Sequence, residues 1–310
     1  MATSSPSLWT FWHPRYWLLW CGLALLRLIV LLPQKQRMRA GSLLGKLSYR
    51  LAGKRAFIAQ RNIELCFPEL SAKDHLALTH RHFESLGKSA IEMGMSWWIS
   101  EAEIERLFVI EGLENMNEAV ARGKGVLMLC AHLAGVELSG RAIMTQLPPL
   151  AAMYRPNNNP MLNALMWRSR AKSISELITK DSIRQLLRAL KNKRVVWYAP
   201  DQAYTGKNSV LADFCGIPAM SNAATTQLLK ASGATLIPFF PSRLPDDSGY
   251  KVQYLPIAED LPSDDPVADT NAINRILEEH IRRFPEQYYW VHRRFKGRPD
   301  SFSDPYATSE

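Results

Sequence analysis

The feature that most constrains the fold is a rhythm of short apolar runs alternating with helix-length segments. Apolar runs suited to buried strands fall at 126–130, 150–154, 195–199, 234–240 and 251–255. Segments with helical spacing fall between and around them, at 113–122, 160–170, 183–191, 221–232 and 269–284. Strands that succeed one another through helices run parallel, and a parallel sheet must be covered by those helices. The chain therefore reads as α/β with a central, largely parallel sheet. Ser71 with Asp74 forms a capping-box-like start for a further helix running toward Trp97 and Trp98. Beyond residue 56 there is no long linker, repeat or low-complexity tract. With 310 residues and 47% apolar content, one large α/β domain over 34–310 is the simplest reading.

Residues 1–33 are of another kind. From Tyr16 to Leu32 the chain is apolar except for Gly22 and Arg27, and Trp9, Trp12, Tyr16, Trp17 and Trp20 crowd its start. Aromatic rings beside an apolar helix mark a membrane interface. Seventeen helical positions reach about 26 Å, short of a hydrocarbon core of about 30 Å, so a helix here either spans a thin bilayer or lies partly embedded. Pro33-Gln-Lys-Gln-Arg37 offers no small-x-small cleavage site, so the segment is retained as an anchor. Lys35, Arg37, Arg39, Lys46, Arg50, Lys54 and Arg55 follow it, against Arg15 alone before it, which puts the bulk of the chain on the cytoplasmic side. Leu43, Leu44, Leu47 and Leu51 recur at helical spacing, as a surface-lying amphipathic helix or an ordinary core-facing one requires.

Charge narrows the partners without choosing among them. Lys and Arg number 38 against 29 acidic residues, a net charge of +9 that favours nucleic acid, an acidic membrane or a polyanionic substrate. Cys21, Cys66, Cys130 and Cys215 are scattered, with no C-x-x-C pair. A reduced, cytosol-facing domain with no cysteine metal site is the expectation.

The chemistry centres on His132 and Glu137, in Leu127-Met-Leu-Cys-Ala-His-Leu-Ala-Gly-Val-Glu137, at the carboxyl end of an apolar run. The spacing alone is weak, since chance supplies roughly 0.65 such pairs in this composition. Residues five apart on a helix lie roughly 140° apart and do not face each other. They meet only if His132 sits on the loop leaving a strand and Glu137 on the helix that begins near Gly135. Zinc chemistry of the H-E-x-x-H kind is excluded because its i,i+4 pair is absent. There is no G-x-S-x-G elbow, and Gly87-Lys88-Ser89 lacks the upstream glycine of a P-loop. Cys130 falls on the same strand face as His132, so a Cys-His pair stands as an alternative to a buried packing cysteine. Arg155, Asp201 and Gln202 follow other apolar runs and belong at the same sheet edge, where α/β proteins gather ligands.

Six ordered blocks give the chain a wider resemblance: His13-Pro-Arg-Tyr-Trp17, Arg61-Asn-Ile-Glu-Leu-Cys-Phe-Pro-Glu69, the H-x-x-x-x-E pair, Tyr154-Arg-Pro-Asn157 with Asn159-Pro160, Val195-Val-Trp-Tyr-Ala-Pro-Asp-Gln202, and Pro285-Glu-Gln-Tyr-Tyr-Trp-Val-His-Arg-Arg-Phe-Lys296. In these the chain resembles, from Trp12 to Phe295, the bacterial lipid A biosynthesis late acyltransferases of the lauroyltransferase type. The resemblance implies a glycerol-3-phosphate acyltransferase-like fold. It implies transfer of a fatty acyl chain from acyl carrier protein to a hydroxyl on a hydroxyacyl chain of a Kdo-bearing lipid A precursor. The reaction would run at the inner membrane among anionic lipids, without cofactor, metal or nucleic acid.

On that reading His132 removes the hydroxyl proton as the oxygen attacks the thioester, and Glu137 holds the imidazole tautomer; no acyl-enzyme forms. Arg155 binds a phosphate or the developing oxyanion. Arg168 and Arg170, with Lys172 and Lys180, form a basic patch for lipid phosphates or the acidic carrier, or else a solvated helix face. Asp201 and Gln202 either order the site and bind the acceptor or merely start a turn. Histidine also occurs in that family at the place of Gln202. Phe214-Cys-Gly-Ile-Pro218 matches a family turn, and Arg293, Arg294 and Lys296 beside Trp290 suit a headgroup contact or a basic surface. Acyltransfer to another glycolipid or a lysophospholipid, a thioesterase, and a non-catalytic lipid-binding adaptor are the competing readings.

Overall fold

The computed structural model describes residues 7–307 except 148, 155, 172, 173, 180 and 181. Helices lead: α1 (Trp17–Val30), α2 (Gln34–Leu51), α3 (Gly53–Cys66), the long α4 (Ala72–Trp98) and α5 (Glu101–Leu107). Alternation then sets in with β1 (Phe108–Glu111), α6 (Leu113–Ala121), β2 (Val126–Leu129), α7 (Val136–Ile143), β3 (Leu150–Tyr154), α8 (Pro160–Arg170), β4 (Glu176–Thr179), α9 (Ile183–Lys191) and β5 (Val195–Tyr198). A hairpin, β6 (Ser209–Phe214) and β7 (Ile217–Asn222), interrupts it before α10 (Ala224–Ser232), β8 (Thr235–Arg243), β9 (Tyr250–Tyr254) and α11 (Pro266–Arg283). Seven strands form one sheet in the order β1-β9-β8-β2-β5-β3-β4. Every pairing in it is parallel except β8 with β9. The expected α/β architecture with a largely parallel sheet is present.

Local chemistry explains the elements and their limits. Ser71 caps α4 as expected, its hydroxyl accepting the Asp74 N–H at 3.2 Å. All four residues of β2 are buried, which is why they read as a plain apolar run. The edge strands are different: β1 alternates half-buried and exposed residues, and β4 carries Glu176, so neither stood out as an apolar run. The stretch at 214–218, read as a turn, is the tip of a hairpin. Its two loop residues, Cys215 (φ 54°) and Gly216 (φ 74°), both take the left-handed conformation that a two-residue hairpin turn needs. Asparagine usually fills the first of those places, and a cysteine there hid the signal.

The N-terminal helices pack on α4 through small residues. A Cβ on Gly45 would come within 2.2 Å of the Phe83 carbonyl oxygen, and one on Gly87 within 2.1 Å of that of Gly41, so α2 and α4 touch backbone to backbone. The buried face of α2 is Arg37, Met38, Gly41 and Gly45. Leu43, Leu44, Leu47 and Leu51 lie on the other side and are exposed, Leu51 at 79%, so the core-facing alternative for these leucines falls away. Helix α1 likewise exposes Leu18 (87%), Leu25 and Leu28, with Leu31 exposed just past its end, and buries Leu23 and Val30. It has 14 residues, about 21 Å of helix against about 30 Å of hydrocarbon. Among the described residues no helix is long and apolar enough to cross a membrane.

Candidate active site

The site lies at the carboxyl ends of the central strands. Strands β2 and β5 are parallel neighbours, with Leu129 opposite Tyr198. The Cys130 N–H extends the ladder by donating to the Tyr198 carbonyl at 2.9 Å. The same register carried three residues past each strand sets Asp201 beside His132. The Asp201 carboxylate accepts from the His132 ring at Nδ1 (2.7 Å) through one oxygen and from the His132 backbone N–H (3.2 Å) through the other. Asp201 is 1% exposed, whereas the His132 side chain is 38% exposed and its Nε2 has no hydrogen-bond partner among the described residues.

Electrostatics follow from that contact. Burial disfavours a charged His132, but the charge and hydrogen bond of Asp201 outweigh it, and the imidazole pKa is raised. Asp201 is lowered for the complementary reason, burial being overcome by His132. The arrangement is that of a base whose Nδ1–H tautomer is fixed by a carboxylate and whose imidazolium is stabilised by it.

Glu137 does not hold the imidazole. It sits in the first turn of α7, as the spacing required, but its carboxylate receives the guanidinium of Arg170: Nε at 3.0 Å on Oε2, with Nη2 on Oε1. The expected His132–Glu137 contact is therefore replaced by two pairs, His132–Asp201 and Arg170–Glu137. The strand-loop-helix geometry expected for the motif is present: Gly135, at φ +74°, makes the left-handed step from the His132 loop into α7.

Beside these pairs runs a narrow, mostly apolar cavity. One wall is a single rung of the sheet, Met128, Trp197, Ala152 and Leu177, in register across β2, β5, β3 and β4. The facing wall is α7, with Val136, Glu137, Gly140 and Ile143. Arg170, Glu137 and Tyr154 line it toward the catalytic edge, and the Trp197 ring stands edge-on to His132 at 6.4 Å between centroids.

The loop that carries His132 is held from behind by the C-terminal segment. Tyr289 N–H donates to the His132 carbonyl (3.1 Å), Ala134 N–H to that of Gln287 (2.8 Å), and Leu133 bridges to Tyr288. Asn62 on α3 in turn grips that segment. Its Nδ2 donates to the carbonyls of Trp290 (2.6 Å) and His292 (2.7 Å), while its Oδ1 accepts from the Tyr306 hydroxyl (2.5 Å). His292 accepts the Ala203 N–H at 3.2 Å, and burial, with Lys296 nearby, pushes its pKa down to about 4, so it stays neutral. Tyr288 donates to the Asp201 carbonyl at 3.4 Å. These supports sit far from His132 in the chain, and only their place in the sixth block and in Arg61-Asn62 marked them.

The remaining candidates divide. Gln202 is half-buried next to Asp201. Arg168, two positions from Arg170 and so on a different side of α8, is exposed. Arg155, Lys172 and Lys180 lie outside the described residues. Cys130 is fully buried, its thiol donates to the Ala131 carbonyl (3.2 Å) and burial pushes its pKa up, which makes it a packing residue and not a nucleophile. Arg294 is no headgroup contact. It is 1% exposed, donates to the Met220 carbonyl and the Ser221 hydroxyl, and stacks on Phe214. Among the described residues no cluster of His, Cys, Asp and Glu is arranged to hold a metal ion.

Comparison with known proteins meets this geometry. The model of the bacterial lipid A biosynthesis acyltransferase family matches residues 5–297. The lipid A biosynthesis lauroyltransferase of Escherichia coli (strain K12) is 39% identical over 95% of this chain and 96% of its own. The palmitoleoyltransferase of lipid A biosynthesis from the same strain is 38% identical over 96% of each. The crystal structure of the 1-acyl-sn-glycerophosphate acyltransferase PlsC from Thermotoga maritima overlays on 78% of this chain and 96% of its own with a TM-score of 0.39 and 10% identity, too distant to carry a site across. Matched almost end to end by the family model and by these relatives, the chain belongs to the bacterial lipid A biosynthesis acyltransferase family.

Proposed function

We propose that this acyltransferase moves a fatty acyl chain from acyl carrier protein to a hydroxyl of a hydroxyacyl chain on a Kdo-bearing lipid A precursor, with no cofactor. The observation that carries the reading is the His132–Asp201 pair, with His132 edge-on to Trp197 in the wall of an apolar cavity. The acyl chain enters the cavity, which leaves its thioester carbonyl at the catalytic edge. His132 Nε2 takes the proton of the acceptor hydroxyl as the oxygen bonds to the carbonyl carbon, and Asp201 stabilises the imidazolium. Collapse of the tetrahedral intermediate breaks the C–S bond, and the imidazolium returns the proton to the departing thiolate. Arg170, held by Glu137, supplies positive charge where the two line the cavity. Arg155, Arg168 and Gln202 contribute to binding the acceptor headgroup and the acidic carrier.

Residues 1–33 and α2 seat residues 34–310 on the cytoplasmic face of a bacterial inner membrane. The exposed leucines of α1 and α2 enter the interface, and the basic residues after them contact anionic lipid headgroups. The test is a purified-protein assay with acyl-carrier-protein thioesters and the tetraacylated precursor, read by product mass. One added acyl group per precursor is the expected result. Thioester hydrolysis that acceptor fails to suppress would make the protein a thioesterase, and faster transfer to a lysophospholipid or another glycolipid in competition would reassign the acceptor.

A further inference from the structure

Gly140 lies in the middle of α7, where glycine weakens a helix, and no packing demand accounts for it. A Cβ built there meets no heavy atom of the described residues within 4 Å, in contrast to Gly41, Gly45 and Gly87, whose Cβ atoms would strike backbone. At 100° per residue, Val136, Gly140 and Ile143 share one stripe of α7 with Glu137 beside it. That stripe faces the cavity, while Leu138 and Ala142 point the other way, into the cluster with Ile91 and Met95 on α4. Gly140 therefore occupies the middle of the cavity-facing arc. Along the axis it lies about 4.5 Å beyond Glu137, and Ile143 lies about 9 Å beyond, so the cavity passes Gly140 on its way inward. On the opposite wall Ala152 is the smallest side chain of the rung.

We infer that Gly140 sets the length of acyl chain this enzyme accepts: its missing side chain keeps the cavity open past the level of Glu137 for an unbranched, saturated acyl tail. This rests on the acyl chain lying in the cavity, as proposed above. A side chain at 140 points into the slot and stops the tail one turn of α7 below its mouth. Neither Ala nor Leu strains the helix, and both form it more readily than glycine.

The test compares wild type, Gly140→Ala and Gly140→Leu with saturated acyl-carrier-protein thioesters of graded length, offered singly and in competition, together with thermal shifts induced by free saturated fatty acids of the same lengths. In Gly140→Leu, kcat/KM for the longest donor that wild type uses well falls by about 10- to 200-fold for each methylene no longer accommodated. Shorter donors keep their rates, the mass of the competition product moves down, and the fatty acid giving the largest thermal shift shortens in step. Gly140→Ala moves each readout the same way and less. An unchanged length ratio in Gly140→Leu overturns the inference and leaves the acyltransferase reading standing, as does an equal loss at every length with the melting temperature intact. Absence of transfer by wild type from every donor, with no fatty-acid stabilisation, overturns both.

Discussion

Two carboxylates flank the site, and they do different work. Asp201 is shut off from solvent and spends both oxygens on one residue, the ring and the backbone of His132. Glu137 is half-buried at the rim and spends both of its oxygens on Arg170. The first is 69 residues from the histidine and the second only five. Contact follows the sheet, not the chain: parallel register continues past the ends of β2 and β5 and delivers Asp201, while the left-handed step at Gly135 turns Glu137 away to α8. On the mechanism proposed above, one acid tunes a base, and the other orients a cation.

That contrast can be broken or sharpened by substitution, beginning with the base itself. His132→Ala removes the base and is expected to lower kcat by on the order of 10³- to 10⁴-fold in the acyl-transfer assay. It also strands Asp201 without its partner, so urea denaturation should show a loss of about 1–3 kcal/mol. Asp201→Asn comes next, with a fall in kcat on the order of 10²- to 10³-fold. Because the Asp201 charge is what raises the His132 pKa, its removal moves the acid limb of the pH–rate profile to lower pH. Glu137→Gln frees Arg170 and misplaces the cavity mouth, at a cost of up to about 10²-fold, with the acid limb where it was in wild type. A displaced limb in Glu137→Gln and an unmoved one in Asp201→Asn would exchange the two roles. The smallest catalytic effect belongs to Asn62→Asp, which turns two donors into acceptors facing the Trp290 and His292 carbonyls. It should cost about 1–3 kcal/mol of stability by denaturant melt, with the Tyr306→Phe variant costing less.

Much of this was legible in the residues. The parallel sheet followed from the alternation of runs and helices, and the placement of His132 at a strand end followed from the buried run before it. Asp201 was recognised at the same edge, yet its partner was not, because spacing along the chain says nothing about which strands are neighbours. Sequence order puts β3 after β2; the sheet puts β5 there. Short edge strands escaped because half their residues face water, and the 209–222 hairpin escaped behind a cysteine in a turn position. Arg294 was misjudged for a related reason. A basic cluster reads as surface until a hairpin folds over one of its members and supplies a carbonyl, a hydroxyl and an aromatic face. The exposed leucines of α2 were visible as a periodic stripe, and only the backbone contact of Gly45 and Gly87 decided which side of the helix they occupy.

The grip of residues 287–292 on the His132 loop has a consequence for a shortened chain. His132 and Asp201 both precede residue 202, but the segment that holds their loop lies much further along the chain, and Tyr306, which completes the Asn62 clasp, follows it. A chain cut before residue 287 would carry the proposed base without the frame that aims it. Such a chain is expected to show little acyl transfer, whereas loss of the Tyr306 hydroxyl alone, one hydrogen bond of the clasp, is expected to cost little.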